Sequence, residues 1–308
     1  MRIGFAGAGG VGAYFGGLLN RGGLDITLLA RGQHADLMKT QGLQITENGK
    51  SFRVRPNILD TARASDLQYL GKLDWLIFSC KAHQTVVLAQ DIRPYLGAQT
   101  QIASLQNGVD NPALLEKLLQ RPIVGGLSIR FAAHVIAPGS VAAIGNGYLL
   151  LGEAPTGLSE RVQSLVKAGQ GAGVDMRATD DIRKELWRKL IINNGVNPIT
   201  ALLRRDTGFV LSDKNTVPIV AAMMAEAAVA ASGDGVMLTS QDIEELRAIV
   251  AGLDPFKPSM LVDVERGRLP ELDAICGPVQ ERARRMGKPA RTTETIAHLI
   301  RVRHPELF

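Results

Sequence analysis

The run RIGFAGAGGVGAYFGGLLNRGG, residues 2–23, decides how this chain is read. Residues 2–6 are a short, mostly apolar run, the length of a buried strand rather than a helix. GAGGVG follows at once at residues 7–12, and AYFGGLLNRGG continues with the pattern of an amphipathic helix. A strand, a tight glycine turn and a helix in that order form the setting in which G-x-G-x-x-G binds a dinucleotide. Gly7 permits the turn, Gly9 lets the backbone approach a pyrophosphate, and Gly12 allows the helix to lie close on the strand. Gly10 and Val11 complete the loop, so that the phosphates sit where free N–H groups and the helix dipole favour an anion.

Working outward, residues 26–30 read as a second strand, ending at Arg31. An NAD-preferring site carries Asp or Glu at that place to hold the ribose hydroxyl. A guanidinium instead suits a 2′-phosphate, through charge and forked hydrogen bonds, so NADP(H) is the expected cofactor. Residues 41–56 alternate polar and apolar around Asn48-Gly49, a hairpin signal. Strand-like residues 74–79 lead into Lys81-Ala82-His83-Gln84, which opens a helix, and the strand at 101–105 ends in Gln106-Asn107-Gly108. In a doubly wound sheet ligands lie at the carboxyl ends of strands, which brings Lys81 and Asn107 to the cofactor or substrate. Residues 123–152 break into short apolar runs at Pro138-Gly139 and Gly145-Asn146-Gly147, read as short antiparallel strands. A helix at 158–172 and a strand at 174–176 end the alternation.

From Asp180 the strand signal vanishes, and helices are expected at residues 183–198, 215–233, 240–252, 256–266, 270–287 and 292–303. Thr239 heads the third of these, at 240–252, as an N-cap. The fold class that follows is α/β: an N-terminal Rossmann-type doubly wound sheet, residues 1–178, then an all-helical C-terminal domain, residues 179–308, with the active site between them. In RKELWRKLIINNGVNP, residues 183–198, Lys189, Asn193 and Asn197 fall within about 80° on a helical wheel while most other directions are apolar. A buried amine is costly, so Lys189 requires either a catalytic role or an ordinary pairing with Glu185. Ser259 and Asp263 share a face on SMLVD, and Glu271 and Asp273 open the helix at PELD.

Composition narrows the class of function. The chain has 308 residues, enough for two domains, and a net charge of +5 that favours anionic small molecules. Its lysines and arginines are scattered, without the basic run interleaved with aromatics that nucleic-acid binding requires. The glycines near the N-terminus interrupt what could pass for a secretory segment, and no stretch reaches the ~18 apolar residues of a membrane span. Two cysteines, Cys80 and Cys276, in apolar contexts fit a reducing cytoplasm. His83 and His134 lack metal-ligand spacing and read as structural or surface groups.

Taken together, GAGGVG, CKAHQ around Lys81, Gln106-Asn107-Gly108, ELWRKLIINNGVNPITAL, SMLVDVERGRLPELDAICG and MGKPARTTET resemble the ketopantoate reductases (2-dehydropantoate 2-reductases) over essentially the whole chain. The resemblance implies NADPH-dependent reduction of ketopantoate to pantoate on the route to pantothenate and coenzyme A, and a helical domain like that of 6-phosphogluconate dehydrogenase. It also implies Lys189 as general acid, Glu271 as the carboxylate that orients substrate, and Asn193, Asn197 and Ser259 as substrate-binding groups. Asn107 and Lys81 then lie near cofactor and substrate, with Arg31 at the 2′-phosphate. The partner is a small 2-oxo acid, and a homodimer through the helical domain is one arrangement the resemblance allows. Two departures stand out: Ala290-Arg291-Thr292 replaces a segment that often holds asparagine, and Gly277-Pro278 predicts a kink. Reduction of a different 2-oxo acid on the same fold, or NADPH sensing without turnover, are the competing readings.

Overall fold

The structure is a computed structural model that describes residues 1–308 apart from Arg130 and Asn146. The turn expected at Gly145-Asn146-Gly147 includes Asn146 and so lies outside the described residues. The chain forms two compact units: Met1–Gln106 with Asn111–Ile182, and Asn107–Asp110 with Arg183–Phe308. The short Asn107–Asp110 segment therefore belongs with the helical part, although it lies far upstream in the chain.

The first unit contains twelve strands among its described residues: β1 Arg2–Ala6, β2 Asp25–Ala30, β3 Leu43–Glu47, β4 Lys50–Val54, β5 Asn57–Asp60, β6 Trp75–Phe78, β7 Gln101–Ser104, β8 Ile123–Ile129, β9 Ala132–Ala137, β10 Ser140–Ile144, β11 Tyr148–Glu153 and β12 Met176–Ala178. Eight of them make one sheet in the order β12-β11-β8-β7-β6-β1-β2-β5, parallel except where β11 meets β8. Central strands with no polar face are buried on both sides, and alternate residues feed two separate cores. Ile3, Phe5, Leu28 and Ile77 join one, while Leu29, Leu76, Phe78 and Ile102 join the other.

The hairpin around Asn48-Gly49 forms, with both turn residues at positive φ (46° and 79°) as a tight hairpin turn demands. It belongs to a second sheet, β4-β3-β10-β9, rather than to the main wrap. The short strands expected to be antiparallel additions pair antiparallel as β8–β11 and β9–β10, but β8 also joins β7 in parallel, and β9–β10 completes the small sheet, where β10 runs parallel to β3. Strand β5 was not anticipated, since NILD is only four residues long, and the last strand lies two residues later than expected. The helix Gly10–Arg21 lies between the two sheets, and its glycines make that possible. A Cβ on Gly16 would stand 2.7 Å from Leu28 on the large sheet, and one on Gly17 would stand 2.3 Å from Ile45 on the small sheet.

The second unit is helical: Ile182–Leu203, Thr207–Val210, Val217–Ser232, Ser240–Ala251, Ser259–Glu265, Leu272–Arg285 and Arg291–Arg303. The expected N-cap at Thr239 forms a full capping box with Asp242. The Thr207–Val210 turn, capped by Asp206, leaves no mark in the sequence, because one turn carries no period. Val217–Ser232 packs against the last two long helices, and Met223, Met224, Ala227 and Ala231 anchor a core with Trp187, Ile191 and Ile275. A Cβ at Gly195 would lie 2.4 Å from Met224, so the Ile182–Leu203 helix reaches this core by close backbone approach. Pro278 sits inside a helix that continues through it. Lacking an N–H, it leaves the Ala274 carbonyl without its helical donor, and Gly108 packs against that carbonyl, where a Cβ would come within 2.7 Å.

Candidate functional site

The glycine loop has the geometry that the sequence suggests. Gly7 has φ +115°, and a Cβ there would meet the backbone of Cys80 at 2.6 Å. A Cβ at Gly12 would meet the Gly7 carbonyl at 2.2 Å, and one at Gly10 would meet the Ala133 carbonyl on β9 at 2.0 Å. Gly9 differs, because nothing lies within 4 Å of its Cβ position. As N-cap of the Gly10–Arg21 helix Gly9 has no side chain to cap with, and no acidic residue occupies the first turn. The first N–H groups of the helix, on Gly10, Val11 and Gly12, have no partner within the helix, and no acidic residue stands in its first turn.

His34, three residues past Arg31, holds this loop from behind. Its Nδ1 accepts from the Gly139 N–H at 2.9 Å, which leaves the proton on Nε2, and Nε2 donates to the Ala8 carbonyl at 2.9 Å. Burial lowers the imidazole pKa, with the Ala8 contact working the other way. Arg31 itself is exposed at the end of β2, as N-cap of the Gly32–Gln41 helix. Lys81 is half-buried beyond β6 and caps the turn Ala82–Gln84, a 3₁₀ turn ahead of the helix Thr85–Ile92. Gln106 is buried and ties the strand ends together: its Nε2 donates to Thr85 Oγ1 at 2.7 Å and to the Cys80 carbonyl at 3.1 Å.

The second unit gathers the other predicted residues. Lys189 lies on the Ile182–Leu203 helix with Asn193 and Asn197; Lys189 and Asn193 are half-buried and Asn197 is buried. The ordinary pairing considered for Lys189 is not made, because Glu185 lies 3.9 Å from Arg188 instead. Water retains access to part of the Lys189 side chain, yet the packed protein around it pushes its ammonium down to about 8, with the negative charge of Glu271 opposing that shift. Glu271 is buried at the head of the Leu272–Arg285 helix, without a capping bond of its own, and accepts from Asn107 Nδ2 at 3.0 Å. Ser259 is half-buried at the start of its helix, while Asp263 on the same face turns to a 3.0 Å ion pair with Arg268. Asp273, exposed, pairs with Arg301.

Lys189, Glu271 and Asn107 are thus brought into electrostatic or hydrogen-bond reach of one another, while Gly7 to Gly12, Arg31 and Lys81 belong to the other unit. Residues that the sequence did not flag are His34, Asp110, Arg282 and Asn194. Asn194 is fully buried and donates to the Met223 carbonyl and to Thr293 Oγ1, both at 3.0 Å, which sets the roll of the helix carrying Lys189. A third asparagine beside Asn193 on an apolar helix was a usable signal for it. His34 reaches Ala8 and Gly139, 26 and 105 positions away, and Arg282 reaches Asp234 and Asp110, 48 and 172 away, so no local pattern reveals these contacts. Among the described residues no cluster of His, Cys, Asp and Glu could hold a metal ion, and no helix is long and apolar enough to cross a membrane.

Comparison with known proteins follows the same division. Residues 3–156 match the family described as ketopantoate reductase PanE/ApbA, and residues 181–304 match its C-terminal counterpart. A 2-dehydropantoate 2-reductase of Mesorhizobium japonicum is 29% identical over 98% of this chain and 97% of its own length. One from Pyrococcus horikoshii is 30% identical over 92% of this chain and 91% of its own. Among solved structures, a PanE/ApbA family ketopantoate reductase from Ralstonia eutropha JMP134 superposes with a TM-score of 0.89 at 26% identity, covering 99% of both chains. A D-mandelate dehydrogenase complex shares the fold, with a TM-score of 0.90, at 24% identity over 99% of this chain and 98% of that one. With both halves matched in order, the chain belongs to the ketopantoate reductase PanE/ApbA family, and is an oxidoreductase acting on CH–OH groups.

Proposed function

We propose that this protein reduces ketopantoate (2-dehydropantoate) to pantoate with NADPH, in the pathway to pantothenate and coenzyme A, and that Lys189 is its general acid. The observation that carries the reading is an ammonium pushed down to about 8, beside a buried carboxylate that is itself held by an amide.

The residues present fit a dinucleotide phosphate. The open space at Gly9, the N-cap of the Gly10–Arg21 helix, suits a pyrophosphate, and a side chain at Gly9 would fill it. Arg31 is the group that would hold a 2′-phosphate, which favours NADPH over NADH. When bound, the dihydronicotinamide supplies a hydride to the ketone carbon of the substrate.

The remaining chemistry falls to the chain. Negative charge grows on the carbonyl oxygen, and the Lys189 ammonium donates a proton to it, so one hydride and one proton convert C=O to CH–OH. A pKa near 8 keeps Lys189 mostly protonated at neutral pH while making it a far better acid than an ordinary lysine. Its partial exposure lets water return the proton after each turnover. Glu271 keeps Lys189 charged despite burial and accepts from the substrate hydroxyl, while Asn107 holds the Glu271 carboxylate in place. Asn193 and Asn197, one and two turns along the same helix face, orient the substrate, and Ser259 hydrogen-bonds its carboxylate. Two buried cysteines and a net charge of +5 agree with a cytoplasmic enzyme acting on a small anion.

A fold shared with a D-mandelate dehydrogenase means that side chains, not architecture, choose the substrate. The test is NADPH oxidation followed at the nicotinamide absorbance, with ketopantoate set against close 2-oxo acid analogues. Preference for ketopantoate supports the reading; preference for another 2-oxo acid replaces the substrate. Tight NADPH binding with no oxidation across the panel makes the protein a sensor.

A further inference from the structure

Three separate stretches carry Asn107, Lys189 and Glu271, and one side chain outside the proposed chemistry is linked to all three stretches through its neighbours. Arg282, with only 14% of its side chain exposed, lies on the helix headed by Glu271. Its guanidinium grips Asp110 with two nitrogens, one of them at 3.1 Å, and Asp110 ends the four-residue segment that begins at Asn107. On its other edge Arg282 Nε donates to Asp234 at 3.2 Å, and Asp234 accepts from the indole of fully buried Trp187 at 3.1 Å, two residues before Lys189. Glu281 adds a third carboxylate at 3.0 Å.

We infer that Arg282 is a positioning residue: through Asp110 it straps the Asn107–Asp110 segment onto the helical unit, so that Asn107 is presented to Glu271. Val109, inside the segment, packs against the helical core, which holds the segment near but fixes no side-chain direction. Gly108 lies flush against the Ala274 carbonyl, which Pro278 leaves without a helical donor, and this close approach contributes contact but no side-chain bond. At one end of the segment Asn107 makes a neutral-donor hydrogen bond to Glu271. The bidentate Arg282–Asp110 pair at the other end is the stronger, charge-assisted tie. Asp234 and Trp187 lock the guanidinium from behind, which is why an arginine and not a lysine fits here.

The inference rests on the assignment of Glu271 and Asn107 to the substrate site, and the experiment separates the two. Asp110→Asn, at an exposed position, and Arg282→Met are made in the full chain, alone and combined with Asn107→Ala. Each is expected to raise KM for ketopantoate roughly tenfold with a smaller change in kcat, as for a misplaced orienting group, and to add little to Asn107→Ala. Backbone amide exchange, measured without ligand, is expected to quicken across residues 107–110 in both variants and, in Asp110→Asn, to stay unchanged along Ile182–Leu203. Full additivity with Asn107→Ala, or unchanged exchange across 107–110, overturns the strap. Should Arg282→Met fail to fold, Asp110→Asn decides. Should the wild-type protein not reduce ketopantoate, the functional reading falls, and the exchange comparison still decides whether Arg282 holds the segment.

Discussion

Replacing Lys189 by methionine is expected to inactivate the enzyme while stabilising the fold. Burial lowers the ammonium from its usual 10.5 to about 8, against the opposing field of Glu271. Each unit corresponds to about 1.4 kcal/mol, and water at the half-buried side chain trims the total, so carrying this charge costs the folded state on the order of 2 kcal/mol. Below pH 8 both folded and unfolded chains hold the proton and the cost is fully present. Between about 8 and 10.5 the unfolded chain binds more protons than the folded one, so stability rises with pH, and above that range the cost is gone. Lys189→Met removes the cost at neutral pH and should raise Tm by a few degrees, while kcat falls by about 10² or more for want of a proton donor. With Lys189 as the proposed donor, it is about 90% protonated at pH 7 and about 10% at pH 9 in the free enzyme, so kcat/KM for ketone reduction should fall tenfold per unit on the alkaline side. Glu271→Gln removes the opposing charge and should move that alkaline limb to lower pH. Stopped-flow NADPH oxidation across pH 6–10 (roughly the range of the relevant titration) and thermal melts at pH 7 make the measurements. Near-normal turnover in Lys189→Met, or a Glu271→Gln limb displaced to higher pH, would refute the reasoning.

Other outcomes follow from the first unit. Arg31→Ser should raise KM for NADPH roughly tenfold and leave that for NADH nearly unchanged, which a paired cofactor titration measures. Gly9→Ala has room for its methyl and should keep a wild-type melt while weakening cofactor binding; Gly10→Ala drives a Cβ to 2.0 Å from the Ala133 carbonyl and should melt earlier, with or without cofactor. His34 is neutral in the fold with its pKa lowered by burial, so the stability it supports is present above the unfolded value near 6.5 and is lost as pH falls through the folded value. His34→Gln should flatten the decline in cofactor affinity and Tm below that pH, and an unchanged acid limb in the variant counts against the His34 tie to Ala8.

Strand β1, the glycine turn and the helix after it were legible because each rests on local chemistry: a short apolar run, a backbone that must reach φ +115°, and a 3.6-residue period. The later helices were legible through period, Thr239 and the prolines, and the stripe of Lys189, Asn193 and Asn197 through angular spacing alone. A second sheet was not, since β3 pairs with β10 almost a hundred residues on, and strand sequence does not name its partner. Nor could the sequence choose between an ordinary and a catalytic Lys189, because Glu185 lies one turn away in the chain and Glu271 lies 82 positions away. Local sequence thus determined the elements and the residue types available for chemistry. Tertiary structure decided that Glu185 turns to Arg188, that burial and Glu271 set the acidity of Lys189, and that Asn107 leaves its own sheet to hold Glu271. The physical reason is that pKa values and hydrogen-bond partners depend on desolvation and on charges brought close through space, and neither quantity is a function of sequence separation.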